Sequence, residues 1–542
     1  MHLSRMAIEN FRGIDALQLD FEETTVLIGE NNTGKSSVLR ALAICLGVGK
    51  AELDFDAGDF QRNGGEPDPI SLQLEFTEDE RGEWKDPAFE ALRTAVVEDS
   101  RGPATLGVTV DARMAADGTI EAGARFIPRD GKLLDLPEGL ATLRRLCPMV
   151  WLDSDRRLRL VPPYDGNAAD ADPVEARINE VYTRLASEPG PIPAAELEAS
   201  FEAVNAWIER LPEHENLGDP PRRLLRDLVQ TPVSVAQGPG PHLRTRLRGS
   251  GTQSVALLVL SGALLEARGA RRLPEYASPI LAVEEPETHL HPLMLTSIWS
   301  LVSSLPAQKI LTTNSSEFLA SVPLRAIRRI TRNNGSIALH RLGEKTLSVD
   351  EMRRVAYHVR VKRGGSFFAR CWLLVEGETE FWLLPELARL CGNELPNEGV
   401  ALVEFAQCGP APLVKLANDL GIEWHLFVDG DTSGKAFAEA VRGHLGGRGE
   451  AERISVLKQH DIERMLWHAG YADVYRNAAG AAGRRDKQER PDRVIDRAVR
   501  AKSKPYLALE VIRAASAPDS PGVPDPIRDV VERVIQLARD GL

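Results

Sequence analysis

The chain has 542 residues, a formal net charge of −13, and 43% hydrophobic and 27% charged residues, a length that predicts two or three domains of soluble, globular type. No apolar run is long enough to cross a bilayer, so no membrane partner is expected, and the acidic balance excludes a protein that coats DNA over its whole surface while leaving room for local basic patches. Five cysteines without a CxxC pair, and a start (Met1-His2-Leu3-Ser4-Arg5) without the apolar core of a secretory signal, predict a cytoplasmic chain.

In chain order, Leu3 to Phe11, Ala16 to Phe21 and Thr25 to Gly29 have strand texture. The third runs into Gly29-Glu30-Asn31-Asn32-Thr33-Gly34-Lys35-Ser36, after which Val38, Leu39, Leu42 and Leu46 recur at helical spacing. That strand-loop-helix order is what a P-loop requires. Ile70 to Phe76, Leu106 to Val110 and Ala124 to Ile127 are further strand candidates. From about Pro162 to Pro221 the pattern turns helical and proline-punctuated, with helices expected over Val174 to Leu185 and Ala194 to Leu211. It predicts an insertion and a dimer contact surface. The nucleotide domain resumes with Pro279 to Val283, an apolar strand ending in acids, and Lys309 to Thr313. A basic stretch from Arg353 to Gly365 has linker character, and from Cys371 the order strand, acidic turn, helix, strand, acidic turn predicts a compact parallel α/β unit. The expected boundaries are 1–161 and 222–352 for the two parts of the nucleotide domain, 162–221 for the insertion, 353–366 for the linker and 367–542 for the last domain.

In a P-loop, successive backbone N–H groups at a helix N-terminus surround the phosphates. Gly29, Asn31, Asn32, Thr33, Gly34 and Ser37 are the candidate contacts, with Lys35 neutralising terminal phosphate charge and the Ser36 hydroxyl completing Mg²⁺ coordination. Downstream, Val283-Glu284-Glu285-Pro286-Glu287-Thr288-His289-Leu290-His291-Pro292 delivers two carboxylates to a strand end: Glu284 for the metal shell, Glu285 for polarising a water. The two histidines have no partner cluster to make a zinc site.

These residues, together with Asn10-Phe11-Arg12-Gly13, resemble ABC-type ATPases of the SMC and RecF kind. The resemblance implies ATP binding and identifies Gly249-Ser250-Gly251-Thr252-Gln253, before the helical run Val255 to Leu265, as a variant ABC signature. Its Ser250, Gly251 and Gln253 would complete the nucleotide site of a second copy, which implies a homodimer. Gln61 is the candidate Q-loop residue. Where the family usually carries a switch histidine, this chain has Asn314, in Thr312-Thr313-Asn314-Ser315, and slow hydrolysis is expected.

Further on, Glu376 follows an apolar strand, Glu380 lies one helical turn later, and Asp429 and Asp431 follow another strand. Crowded carboxylates are costly without a cation, so the set points to Mg²⁺ or Mn²⁺. Its order is similar to the Toprim domain, and the whole chain resembles an OLD (overcoming lysogenisation defect) family ATP-dependent endonuclease. The implied fold class is α/β: an ABC-type P-loop ATPase with a helical insertion, plus a C-terminal Toprim α/β domain. The implied chemistry is metal-dependent DNA cleavage in which Glu376, Glu380, Asp429 and Asp431 are ligands or metal-linked acid/base groups, Glu376 among the catalytic ones. In Asp461-Ile462-Glu463, Glu463 is the favoured further ligand and Asp461 the second choice. Among Arg497, Arg500, Lys502 and Lys504, Lys504 is the candidate catalytic lysine. Phage defence and DNA repair are the roles the resemblance implies. The competing reading is an SMC/RecF-like ATPase that binds DNA in repair without cutting it.

Overall fold

The computed structural model describes residues 1–48, 52–61, 67–99, 102–154, 158–160, 277–288, 290, 292, 295–305, 307–333, 335–357, 364–480 and 490–540. The expected insertion helices, the signature residues Ser250, Gly251 and Gln253, the helix over Val255 to Leu265, and His289 and His291 lie outside them. The chain forms two compact units, Met1–Val322 with Ala326–Leu339, and Pro323–Arg325 with His340–Leu542.

The first unit holds two sheets. Strands β1 (His2–Phe11), β2 (Ile14–Asp20), β4 (Ile70–Thr77), β5 (Val96–Val97) and β6 (Thr105–Met114) form one in the order β2-β1-β4-β6-β5, with β7 (Ile120–Ile127) also paired to β6. Alternation decides its register: Met6 and Ile8 of β1 face the core while Arg5 and Glu9 face solvent, and a one-residue slip would reverse every side chain. In the second sheet, β3 (Thr24–Ile28), β8 (Met149–Leu152), β10 (Ile280–Glu284), β11 (Gln308–Thr312) and β12 (Ile327–Asn333) run parallel, in the order β12-β3-β11-β10-β8, and β9 (Leu158–Leu160) and β13 (Ser336–Arg341) complete the two edges. Strands β8 and β10 are apolar runs buried along their length, as expected of parallel strands covered on both faces. Helix α1 (Lys35–Leu46) follows β3 and buries Val38, Leu39, Leu42 and Leu46 against this core.

The second unit is built on a four-stranded parallel sheet of β14 (Cys371–Val375), β15 (Val400–Glu404), β16 (Glu423–Val428) and β17 (Ile454–Val456), in the order β15-β14-β16-β17. Helices α2 (Glu378–Leu390), α3 (Thr432–Arg442), α4 (Ile462–Leu466), α5 (Pro491–Ala501), α6 (Lys504–Ala515) and α7 (Asp525–Asp540) are among those around it. Leu383 and Leu387 of α2, Val511 of α6 and Val534 of α7 share one buried cluster with Leu373 of β14.

The structure departs from the expectation drawn from sequence in several elements, among them a helix and a strand in the second unit. Arg353 and Arg354, assigned to a linker, occupy the last turn of a helix over Val349–Val355, where Ser348 and Glu351 form a capping box. Strand β15, with a helix over Pro410–Asp419, lies between the two acidic turns. Among the described residues no helix is long and apolar enough to cross a membrane.

Candidate functional site

Parallel strands bring chemistry to the edge at their C-terminal ends. In the first unit, register sets Val283 of β10 beside Leu311 of β11 and Thr312 of β11 beside Leu27 of β3, so Glu284, Thr313 and the P-loop leave the sheet at one edge. Gly34, at φ 97°, caps α1 in a left-handed conformation that side chains rarely adopt. Lys35 is buried and its Nζ donates to the carbonyls of Gly29 (2.8 Å) and Glu30 (2.9 Å), while Asn31, Asn32 and Ser36 are exposed and Ser37 half-buried. The Thr33 hydroxyl donates to the Glu30 carbonyl at 2.9 Å. Burial pushes the Lys35 ammonium down, and Glu285, Glu287 and Glu30 oppose that shift. A lysine folded back on its own loop, above an open helix N-terminus, fits a terminal phosphate that would take over those contacts.

Glu284 is buried and accepts from the Ser154 N–H at 3.1 Å. Burial pushes its carboxyl up, the Ser154 N–H opposes the shift, and Asp153 adds to it. Asp153 went unassigned from sequence, although it too is an acid ending an apolar strand, and β8 runs in register beside β10 with Leu152 opposite Val283. Glu285 has φ 43°, a strained value for a residue with a side chain. Its Oε1 accepts from Asn314 Nδ2 at 2.6 Å and its N–H donates to the Thr312 carbonyl at 2.9 Å. The same Asn314 Nδ2 lies 3.5 Å from Asn31 Oδ1 in the P-loop. Gln61 stands apart from these bonds, following Phe60, which bridges to Phe11, and its Nε2 is buried without a hydrogen-bond partner.

In the second unit, β14 and β16 are neighbours with Val375 opposite Phe427, which brings Glu376 and Asp429 to adjacent strand ends. Gly430 carries this turn: a Cβ there would meet the Gln459 carbonyl at 2.2 Å and the Leu457 carbonyl at 2.3 Å. Glu380, in the first turn of α2, and Glu463, in the first turn of α4, are both buried. Glu463 Oε1 accepts from the Thr379 hydroxyl at 3.4 Å and lies 3.6 Å from Lys504 Nζ. Asp431 caps α3, accepting from the Gly434 N–H at 2.6 Å.

Burial pushes the Asp429 carboxyl up to about 8, with Glu380, Glu463, Glu376 and Asp461 adding to the shift. Burial likewise raises Glu376, where Asp431 adds and Lys504 opposes, and Glu380, where Glu463 adds. For Lys504, burial works against the charge but Glu463, Glu380 and Asp429 outweigh it and raise the ammonium. Asp429 Oδ1 and Glu376 Oε2 are buried with no hydrogen-bond partner. Among the described residues no three His, Cys, Asp or Glu side chains are drawn to metal-binding separation. The all-oxygen donors and the two orphaned oxygens nevertheless suit a hard divalent cation.

The alternatives left open in sequence separate here. Asp461 caps α4, accepting from the Arg464 N–H at 2.8 Å, and pairs with the Arg464 guanidinium, which also reaches Asp492 and Asp496 on α5. Its oxygens are occupied, whereas Glu463 faces the carboxylates. Lys502 Nζ lies 5.1 Å from the centroid of the Tyr506 ring, leaving Lys504 as the lysine beside the acids.

The fold and its two strand-end sites define a protein that joins a P-loop α/β domain to an OLD-like Toprim domain. Residues 367–431 match the Toprim domain of proteins like the overcoming lysogenization defect protein. The chain belongs to the DUF2813 family, described as a protein of unknown function, which its residues 1–366 match. It is 35% identical, over a 557-residue alignment covering 99% of both chains, to the uncharacterized protein YbjD of Escherichia coli (strain K12). It is also 36% identical over 74 residues to the DNA replication and repair protein RecF of an Exiguobacterium species, 14% of this chain and 19% of that one. Among solved structures, the SMC head domain from Thermotoga maritima aligns at 15% identity and a TM-score of 0.31, over 63% of this chain and 100% of that one. The C-terminal region of the Xanthomonas campestris pv. campestris OLD protein aligns at 20% identity and a TM-score of 0.27, over 32% of this chain and 95% of that one.

Proposed function

We propose that this protein is a DNA endonuclease that cuts phosphodiester bonds at the β14/β16 edge under the control of ATP bound at the P-loop. The observation that carries the reading is the pair of buried, unpartnered oxygens on Glu376 and Asp429, at adjacent strand ends with Glu380, Asp431 and Glu463 around them. In this reading those five carboxylates hold Mg²⁺ or Mn²⁺. When bound, the metal activates a water and stabilises charge on the phosphate oxygens. Lys504, raised by its acidic neighbours, stays cationic and offers its charge to the departing oxyanion. Lys502, Arg500 and Arg497 hold the DNA backbone without reading its bases.

At the other site, the P-loop N–H groups and Lys35 bind ATP, Ser36 and Glu284 hold its Mg²⁺, and Glu285 orients the attacking water. Asn314 donates an amide hydrogen bond but cannot carry a proton as imidazole does, so turnover is slow and bound ATP acts mainly as a conformational signal. The signature residues Ser250, Gly251 and Gln253 complete the site of a second copy in a cytoplasmic homodimer, with the 162–221 insertion adding contact surface. Phage defence or DNA repair is the setting such a nuclease serves.

Plasmid incubated with the protein and Mg²⁺ or Mn²⁺ is expected to be nicked or linearised, and Asp429→Ala and Glu376→Ala are expected to lose cutting while still binding ATP. Undiminished metal-dependent cutting by either variant refutes the assignment, and an uncut plasmid with intact ATP binding favours the non-nucleolytic, DNA-binding ATPase.

A further inference from the structure

Glu287 lies three residues beyond Glu284, the last residue of β10. Its Oε1 accepts two hydrogen bonds from the loop after β11: the Thr313 hydroxyl at 2.8 Å and the Asn314 N–H at 2.9 Å. Thr313 Oγ1 in turn accepts from the Ser315 N–H at 3.0 Å, so the loop is pinned at both residues that flank its bend. From that bend the Asn314 side chain reaches Glu285 at 2.6 Å and Asn31 at 3.5 Å. Two segments far apart in sequence are thereby tied through one largely buried carboxylate.

We propose that Glu287 is the positioning residue of the ATP switch: it anchors the Thr313–Asn314 bend so that the Asn314 amide stands between the water-orienting Glu285 and the P-loop Asn31. The proposal rests on reading this site as an ATPase. Glu285 sits on strained backbone, so the direction of its carboxylate depends on its neighbours. Removing the Glu287 carboxylate leaves the Thr313 hydroxyl and the Asn314 N–H without their acceptor and lets the bend shift. Displacements of about 1 Å at a reacting centre cost up to about a hundredfold in rate. Ground-state ATP binding depends on the P-loop N–H groups and Lys35, whose hydrogen bonds go to the Gly29 and Glu30 carbonyls and not to Glu287. The device therefore acts on turnover and leaves affinity in place.

Burial pushes the Glu287 carboxyl up, which the Glu287, Asn314 and Thr313 hydrogen bonds oppose. Glutamine keeps an acceptor oxygen for both donors and lacks the charge, so it separates bracing from electrostatics. The test compares wild type, Glu287→Gln and Glu287→Ala in three measurements: steady-state ATP hydrolysis, affinity for a fluorescent ATP analogue, and backbone hydrogen exchange of the peptide spanning residues 310–318 without nucleotide. Glu287→Ala is expected to lower turnover by about tenfold or more with affinity within about threefold, and to speed exchange in that peptide. Glu287→Gln is expected to stay near wild type in all three. Wild-type exchange and turnover in Glu287→Ala overturn the proposal, as does a glutamine variant as damaged as alanine, or affinity falling in step with turnover. A wild type that binds but never hydrolyses ATP removes the ATPase reading instead, and the exchange comparison still decides whether Glu287 braces the bend.

Discussion

Metal binding at the Toprim edge is expected to compete with a proton on Asp429. Burial, joined by Glu380, Glu463, Glu376 and Asp461, pushes this carboxyl up to about 8 in the metal-free protein. A group titrating there is about nine-tenths protonated at pH 7, and a cation must displace that proton. The apparent weakening is about a hundredfold at pH 6, about elevenfold at pH 7 and about twofold at pH 8, so affinity should climb about fiftyfold over this range and level off above it. Titration calorimetry with Mn²⁺ in two buffers of different ionisation enthalpy measures the proton released, which should be about one per site or more at pH 7, because Glu376 and Glu380 are raised as well, and fall towards zero well above pH 8. Asp429→Asn should abolish the release together with the binding. The same shift acts on stability with a determined sign. The folded-state value lies above the unfolded value of about 3.9, so the metal-free fold holds more protons than the unfolded chain and loses stability as pH rises between about 4 and 8. Asp429→Asn should remove that loss, making the metal-free variant the more stable protein at pH 8 in a thermal melt. Metal affinity independent of pH between 6 and 8, with no proton released, refutes the carboxylate crowding on which this rests.

Gly430→Ala should destabilise the second unit by about 1–3 kcal/mol, because the added Cβ meets backbone carbonyls of Gln459 and Leu457 that no rotamer change can move; chemical denaturation measures it, and an unchanged midpoint argues against the close approach. Lys35→Ala should weaken ATP binding and change the ATP response of plasmid cutting without removing cutting itself, and identical cutting by wild type and variant across an ATP titration refutes coupling between the sites. Asn314→His should raise steady-state ATP hydrolysis above a slow wild type, and a fast wild type that the histidine leaves unchanged defeats the slow-switch reading. Mass measurement at micromolar concentration should give a dimer, and a monomer with and without ATP counts against the shared nucleotide site.

Much of the fold was legible because it rests on local rules. Apolar runs ending in acids, Val283-Glu284 and Val428-Asp429, mark parallel strands delivering carboxylates to a sheet edge, and glycine, lysine and serine at P-loop spacing mark a helix N-terminus open to phosphate. These patterns read alike in sequence and in space, since strand and helix periods are properties of the backbone itself. Tertiary structure decided what depends on partners distant in the chain. Strand β15 escaped notice because its surroundings, rather than a strong alternating pattern, make it a strand. Asp461 and Glu463 are two residues apart and chemically alike; packing gives the first to Arg464 and turns the second toward Lys504. Lys504 and Lys502 are told apart in the same way, one beside carboxylates and the other beside the Tyr506 ring. Glu287 and Asn314, 27 residues apart, become one hydrogen-bonded unit only because β10 and β11 are neighbours in the sheet. Hydrogen bonds and charge shifts act over a few ångströms of space, a distance that sequence separation does not encode.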